Sequence, residues 1–308
     1  MGITDKRVLD DTAAGQHVTL GQRSAIQAFD RYDVSLLLGC ALYLYVNLFA
    51  SPGTPYLLGG DQVVYWTGGQ RMLHGEQVYR DFFEFTGLGA SLLYFGVFKL
   101  LGPGIWTPNL VVLLLGVALC MMCLRLSRAI MPRPAAALAT SFYLVFVIGH
   151  TLNGTHHFFS LLAVLGAVAV LIEGRSPVRM AIAGSLLGLA TFFTQTTGPV
   201  AALGIAAWMT WEKFRLHEAW SRYLRCQGVL FATLVLTWVA LSSYYIATLG
   251  LRQLWFFQVT YVHEHMTKLG YKSRRTYYKE DKASDGSGGG FMGALFGSKS
   301  SDADDSDL

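Results

Sequence analysis

The sequence predicts an all-α polytopic membrane protein with about seven transmembrane helices. The chain has 308 residues, of which 53% are hydrophobic and only 14% are charged, and this composition is too apolar for an ordinary soluble domain. Apolar runs close to the roughly 20 residues that cross a hydrocarbon core alternate with short basic loops. Membrane lipid is therefore the expected surrounding medium. The net charge of +4 reflects these loops and does not indicate binding of nucleic acid.

A polar tail precedes the first apolar run. Residues 1–33 are mixed in charge and show no cleavable signal peptide, so we predict a cytoplasmic tail that forms a surface helix. The first span would then act as an uncleaved anchor. The predicted spans cover residues 34–50, 106–124, 135–151, 157–173, 180–196, 199–212 and 227–248.

Residues 87–101 form an eighth apolar stretch, which is short, rich in glycine and carries Lys99. If this stretch does not cross the membrane, the basic loops at 125–133, 175–179 and 213–225 all face the same side as the N-terminal tail. Cytoplasmic loops carry an excess of Lys and Arg, so that arrangement places the N-terminus in the cytoplasm. We therefore predict that residues 87–101 form an interfacial or re-entrant helix.

The first extracytoplasmic loop, residues 51–105, combines acidic and aromatic residues beside the membrane. Apolar residues at 63–66 and 72–73 alternate with polar ones, which predicts short amphipathic helices on the membrane surface. Asp61 opens this pattern directly after two glycines. It fits either a catalytic carboxylate or a helix N-cap that accepts backbone amide hydrogen bonds.

A second charged cluster in the same loop contains Arg80, Asp81 and Glu84. One interpretation is a surface ion pair from Arg80 to Asp81 or to Glu84, which is a common and weak interaction. The other is a polar site for a phosphate or a sugar, because arginine is the natural partner of phosphate oxygens. Local sequence favours neither interpretation.

Three further polar residues are predicted to face the same side of the membrane. His156 and His157 begin a span, where ionisable groups usually face a cavity. Gln195 lies in a polar turn between two spans, where it either completes the helix ends or lines a substrate site. We predict that these residues contribute to substrate binding, with satisfied interfacial residues as the alternative.

The four cysteines lie in or beside predicted spans, so a disulfide framework has no obvious place. We expect them to act as small packing residues. Cys120 and Cys123 have the C-x-x-C spacing, but no second pair accompanies them, and we predict no metal site. Residues 272–308 are glycine-rich, serine-rich and finally acidic, which predicts a disordered tail.

Several of these strings together resemble the GT-C superfamily of glycosyltransferases that use polyprenyl-phosphate sugars. The shared pattern is an N-terminal span, then Asp61, then Tyr79-Arg80-Asp81-Phe82, then an apolar interfacial helix ending in Leu101-Gly102. The strings that begin at His156 and at Gly184 also look like this group. Bacterial protein O-mannosyltransferases and aminoarabinose transferases are the most similar members, and the resemblance covers residues 34–265. Many members continue with further spans, so a truncated member is an interpretation that the resemblance leaves open.

The resemblance implies an inverting transfer of sugar from a polyprenyl phosphate to an unknown acceptor at the outer face of a bacterial inner membrane, with no cofactor. Asp61 would be the catalytic general base. Arg80, Asp81, Glu84, His156, His157 and Gln195 would bind the substrate, with Arg80 and a histidine stabilising the departing phosphate. The alternative is a non-catalytic membrane carrier of lipid-linked sugar, or a subunit that keeps only the N-terminal fold.

Overall fold

The computed structural model describes residues 30–84, 86–217 and 219–263, and this part of the chain is almost entirely helical. The described residues up to Gln258 form one compact unit, and the few described residues from Val259 onward belong to a second unit. The predicted disordered tail and all but the last four residues of the predicted N-terminal tail lie outside the described residues.

The elements follow one another as long helices joined by short connections. In chain order they are α1 (Arg31–Leu48), β1 (Phe49–Ser51), β2 (Thr54–Pro55), α2 (Gln62–Leu73), α3 (Gly89–Leu101), α4 (Thr107–Ile130), α5 (Arg133–Phe142), a π-helical segment (Tyr143–Ile148), α6 (Gly149–Thr151), α7 (His156–Ile172), α8 (Pro177–Phe193), α9 (Thr197–Leu216), α10 (Trp220–Leu249), α11 (Leu251–Trp255) and a second π-helical segment (Phe256–Thr260). β1 and β2 form an antiparallel hairpin.

Three helices of the described residues are long and apolar enough to cross a membrane, namely Thr107–Ile130, Arg133–Thr151 and Trp220–Leu249. The apolar helices Gly89–Leu101, His156–Ile172 and Pro177–Phe193 are shorter. Every predicted span overlaps a helix, and several helices extend beyond the predicted limits. α4 continues to Ile130 and α10 begins at Trp220, because hydropathy marks only the apolar part of a helix and the backbone hydrogen bonds continue into its charged turns.

Local sequence signals explain where these helices begin and end. α1 starts in a capping box, in which Asp30 accepts from the Asp33 backbone amide and Asp33 accepts from the Asp30 amide, so both carboxylates satisfy otherwise unpaired helix donors. Ser176 caps the start of α8, and Pro177 is its first residue, a favourable position for proline. Gly250 caps the end of α10, and its φ of 83° suits a residue without a β-carbon.

Ion pairs join basic and acidic residues at one end of the bundle. Arg128 pairs with Asp33 at the start of α1, and Arg125 bonds Glu173 at 2.8 Å at the end of α7. At the opposite end, Asn109 Nδ2 donates to the carbonyl oxygen of Leu48 at 2.7 Å. The start of α1 therefore lies beside the end of α4, and the end of α1 lies beside the start of α4. The chain between these two helices leaves and re-enters the bundle at the end where Leu48 and Asn109 lie.

Within that returning segment, α2 and α3 pack closely against each other. Gly69 makes this approach possible, because a β-carbon at residue 69 would lie 2.9 Å from the backbone nitrogen of Phe95. Apolar side chains of α1, α2, α3, α4 and α7 share one core cluster, which also buries Cys40 and Cys120. These two cysteines have the predicted role of small packing residues.

Candidate functional site

Asp61 stands at the entrance to α2, just after Gly60, which has a φ of +77°. The N-cap interpretation is wrong in its main point, because the Asp61 side chain makes no capping hydrogen bond. The backbone of Asp61 is already α-helical, whereas a capping residue usually has an extended backbone. The carboxylate of Asp61 is instead exposed at the surface of the site.

Contacts from α2 and α3 hold the loop before α7 beside Asp61. The Gly154 amide donates to Gln62 Oε1 at 2.9 Å, and the Tyr94 hydroxyl donates to the Gly154 carbonyl at 3.3 Å. Leu152 turns this loop with a φ of 38°. These contacts place the first residue of α7, His156, next to the buried face of α2.

His156 is buried and His157 is exposed, and their ring centroids lie 3.9 Å apart. His156 Nδ1 shares a hydrogen bond with the hydroxyl of Tyr65. The negative charge of Asp61 interacts electrostatically with both partners of this bond, the Tyr65 hydroxyl and the His156 imidazole. The structure therefore brings together three of the residues predicted from sequence, and it adds Tyr65.

Glu84 is the buried carboxyl of the site, with only 3% of its surface exposed. The Thr86 hydroxyl donates to Glu84 Oε1 at 3.1 Å. Glu84 Oε2 and the neighbouring Ser91 hydroxyl have no well-aligned hydrogen-bond partner among the described residues. Burial raises the pKa of Glu84 to about 7, and the nearby Ser91 and Thr86 hydroxyls only partly oppose this effect. Glu84 is therefore an acid that changes its charge near neutral pH.

Two tyrosines surround this carboxyl from the loop and from α2. Tyr79 is buried in a left-handed backbone conformation, with φ 66°, and its hydroxyl donates to the Thr86 carbonyl at 3.1 Å. Burial raises the pKa of Tyr65 and of Tyr79, and the negative charge of Glu84 raises both further. Both phenols are therefore neutral, and each can donate or accept a hydrogen bond.

Arg80 and Asp81 form the predicted surface ion pair, at 2.8 Å. The hydrogen bond from Arg80 holds the pKa of Asp81 below its ordinary value, and the Gln77 amide, 2.8 Å from Asp81 Oδ2, acts in the same direction. The alternative pairing of Arg80 with Glu84 is wrong, since Glu84 is buried among hydroxyl groups. The pair lies on the exposed side of the loop, with the Arg80 side chain 56% exposed.

Gln195 is half-buried in the turn between α8 and α9. The preceding residue, Thr194, joins this turn to the start of α7, because its hydroxyl donates to the His156 carbonyl at 3.2 Å. The Ser160 hydroxyl lies 2.9 Å from the Thr194 hydroxyl. The turn thus supports the backbone of His156.

The sequence interpretation missed the polar role of Tyr65, which it treated as an apolar anchor. The available signal was spacing, because Asp61 and Tyr65 are four residues apart and residues at that spacing share one helix face. Thr86 and Ser91 carried no comparable signal. Their proximity to Glu84 depends on the packing of α3 against α2.

Chemically, the arrangement offers an exposed carboxylate, an imidazole beside it and a buried acid behind both. No group of three or more His, Cys, Asp or Glu residues that could hold a metal ion occurs within the described ranges. Comparison of the chain with models of protein families, with curated proteins and with solved structures found no match.

Proposed function

We propose that this protein is a GT-C-like membrane glycosyltransferase that moves a sugar from a polyprenyl-phosphate donor to an acceptor at the extracytoplasmic face. The observation that carries the proposal is the exposed Asp61 carboxylate beside His156, which hydrogen-bonds the Tyr65 hydroxyl, with the charge of the buried Glu84 close enough to act on Tyr65. Groups that can take up and release a proton beside the membrane suit transfer to an acceptor hydroxyl or amine.

The proposal includes a topology in a bacterial inner membrane. α1, α4, the helix from Arg133 to Thr151, and α7 to α10 would cross the bilayer, with α2 and α3 at the interface and the N-terminus in the cytoplasm. Support comes from the ion pairs that join the basic loops at one end of the bundle. Asp61 is in the segment that begins and ends at the other end, where a lipid-linked donor would meet an external acceptor.

In the proposed reaction, Asp61 takes the proton from the acceptor while the acceptor oxygen or nitrogen attacks the anomeric carbon of the sugar. The bond between that carbon and the phosphate oxygen breaks, and the polyprenyl phosphate leaves with the bonding electron pair. One displacement inverts the anomeric configuration. The exposed guanidinium of Arg80 would stabilise the phosphate, while His157, Gln195 and Asp81 would contact the donor or the acceptor.

The test compares sugar transfer by the wild type, by Asp61→Asn and by Glu76→Gln in membranes that contain equal amounts of each protein. Glu76 is a suitable control because it belongs to the same loop and forms a surface ion pair with Arg71. We expect Asp61→Asn to lower the transfer rate by about 100-fold or more, the usual effect of losing a general base, and Glu76→Gln to keep the wild-type rate.

Transfer that survives in Asp61→Asn would contradict the assigned role of Asp61. A wild type that transfers none of several polyprenyl-phosphate sugars would contradict the enzyme proposal. In that case, movement of a fluorescent lipid-linked sugar across vesicles containing the protein would identify the carrier alternative.

A further inference from the structure

The last turn of α9 carries a buried lysine, Lys213, close to the connection with α10. Only 6% of the Lys213 surface is exposed. Its ammonium lies 3.4 Å from the centre of the Trp220 ring and 4.8 Å from the centre of the Phe214 ring. The face of an aromatic ring attracts a cation, so the two rings stabilise the charge of Lys213 within this largely apolar setting.

The rings do not satisfy the hydrogen-bonding capacity of this ammonium. A protonated lysine has three N–H donors, yet Lys213 forms no hydrogen bond and no ion pair with any described residue. Its nitrogen is also absent from the fully enclosed polar atoms that lack a partner among the described residues. The ammonium therefore reaches the molecular surface, and its donors are available to a ligand from outside the protein.

Neighbouring cations differ from Lys213, because they already have acidic partners. Arg175 pairs with Glu212, the residue next to Lys213, and Arg125 pairs with Glu173. The negative charge of Glu212 is thus already compensated by an arginine. Since a buried charge is normally paired, Lys213 is a cation whose partner the described part of the chain does not supply.

The surroundings of Lys213 favour an anion that is part of a lipid. The side chains of Trp211, Phe214 and Trp220 are 72%, 61% and 57% exposed, and exposed tryptophans of membrane proteins lie at the level of the lipid headgroups. Clusters of basic residues beside a membrane attract anionic lipids. The same connection carries three exposed arginines, Arg215, Arg222 and Arg225.

We propose that Lys213, Phe214 and Trp220 form a binding site for the phosphate of an anionic phospholipid. The ammonium donates hydrogen bonds to the phosphate oxygens, and the exposed parts of the two rings contact the glycerol backbone and the acyl chains. This site lies at the end of the bundle that holds the arginine ion pairs, away from Asp61, and it does not depend on the proposed transferase activity.

The alternative role for Lys213 is purely structural. Its position in the last turn of α9 places the ammonium near the final carbonyl groups of that helix, which favour a positive charge. In that role, loss of the charge lowers stability but leaves the binding of lipids unchanged. The measured affinity for lipid therefore separates the two roles.

The experiment is native mass spectrometry of the full chain in a neutral detergent, which resolves the protein with and without bound lipid. The two lipids compared are phosphatidylglycerol, which carries a net negative charge, and phosphatidylcholine with the same acyl chains, which does not. We expect the wild type to bind phosphatidylglycerol more tightly. Lys213→Met should lower the affinity for phosphatidylglycerol roughly fivefold, the contribution of one basic residue at a membrane surface, and Lys213→Arg should keep it.

Lys99→Met is the matched control for the loss of a lysine. The Lys99 ammonium also lies over an aromatic ring, at 4.6 Å from the centre of the Phe95 ring, but Lys99 is exposed at the end of α3. This variant should bind phosphatidylglycerol as the wild type does. An excess of inorganic phosphate should not displace the lipid, and displacement would overturn the lipid assignment in favour of a free anion.

Equal affinity of the wild type for the two lipids would overturn the proposal. So would a Lys213→Met variant that unfolds at a lower temperature but keeps its affinity for phosphatidylglycerol, because that result identifies the structural role. If Lys213→Met does not fold, acetylation of the wild type by an amine-reactive ester decides the outcome. Phosphatidylglycerol should protect Lys213 more than phosphatidylcholine does and leave Lys99 equally reactive, whereas equal reaction of Lys213 in both lipids would exclude the site.

Discussion

Glu84 is the residue on which burial has the largest chemical consequence. Moving a carboxyl out of water disfavours its charged form unless hydrogen-bond donors or cations replace the lost hydration. Only the Thr86 hydroxyl makes a well-aligned bond to Glu84 within the described residues, and Oε2 has none. An unsatisfied buried group of this kind lowers stability, so its presence beside the candidate catalytic residues favours a role in function.

This burial predicts a pH-dependent loss of stability that Glu84→Gln removes. The folded protein holds the Glu84 proton up to about pH 7, whereas the unfolded chain releases it near 4.5. Between these values the folded state binds more protons, so the free energy of unfolding falls as pH rises. The full loss, present above pH 7, is about 3 kcal/mol, because one pKa unit corresponds to about 1.4 kcal/mol.

Thermal unfolding in detergent, measured on both sides of this interval for the wild type, Glu84→Gln and Glu76→Gln, checks the prediction. The wild type and Glu76→Gln should lose stability together as the pH rises, and Glu84→Gln should lose about 3 kcal/mol less. If the free energy of unfolding changed with pH in the same way in all three proteins, the pKa of Glu84 would not be raised in the folded state.

Among the helices, α8 and α10 make the most extensive contact, and glycines on α8 permit it. Gly184 and Gly188 are four residues apart, and the backbone of α10 lies directly over both. A β-carbon at residue 188 would be 2.8 Å from Cβ of Thr237. Small residues at this spacing allow close helix approach in membranes, where apolar surface alone supplies little attraction.

Gly188→Ala should therefore destabilise the protein, whereas Gly228→Ala should not. Residue 228 lies in α10. Apart from its own stretch of helix, an added β-carbon there would have no atom of the described residues within 4 Å. The first substitution overpacks the interface and should cost roughly 1–3 kcal/mol. The second should be neutral or stabilising by up to about 1 kcal/mol, because alanine favours a helix over glycine. Equal unfolding midpoints for the two variants would show that α8 and α10 are not in close contact.

At the scale of the whole molecule, the two ends of the helix bundle differ in chemistry. One end holds arginines of two basic loops with their acidic partners, including Arg175 with Glu212. The other end holds Asp61, Glu84, His156 and His157. Between the ends, apolar side chains such as Leu38, Leu42 and Val46 of α1 remain exposed. An exposed apolar surface of this kind fits lipid rather than water.

Accessibility to a membrane-impermeant maleimide tests the proposed orientation. Thr54 and Arg215 are exposed residues, in the first loop and at the end of α9. In intact cells we expect Thr54→Cys to react and Arg215→Cys to react only after the membrane is made permeable. The unsubstituted protein, whose native cysteines are buried or half-buried, provides the background. Labelling of Arg215→Cys in intact cells would reverse the topology.

Local pattern alone was sufficient to locate the helices of this protein. Lipid demands that every backbone polar group be satisfied within a segment, so each long apolar run had to be a helix. The charge pattern likewise predicted that the basic loops share one side of the membrane, and the ion pairs of Arg125, Arg128 and Arg175 lie at one end of the bundle. The position of Asp61 at the start of α2 was also visible in the sequence, next to two glycines.

The relation of Glu84 to His156 was not visible in the sequence. These residues are 72 positions apart, and nothing in local spacing indicates that Tyr65 bonds His156 and lies within the electrostatic influence of Glu84. Their meeting depends on the packing of α2 against α3, and on Gln62 and Tyr94, which hold the loop before α7. Burial and hydrogen bonding between distant segments are properties of the folded chain, because they depend on which surfaces the helices present to one another.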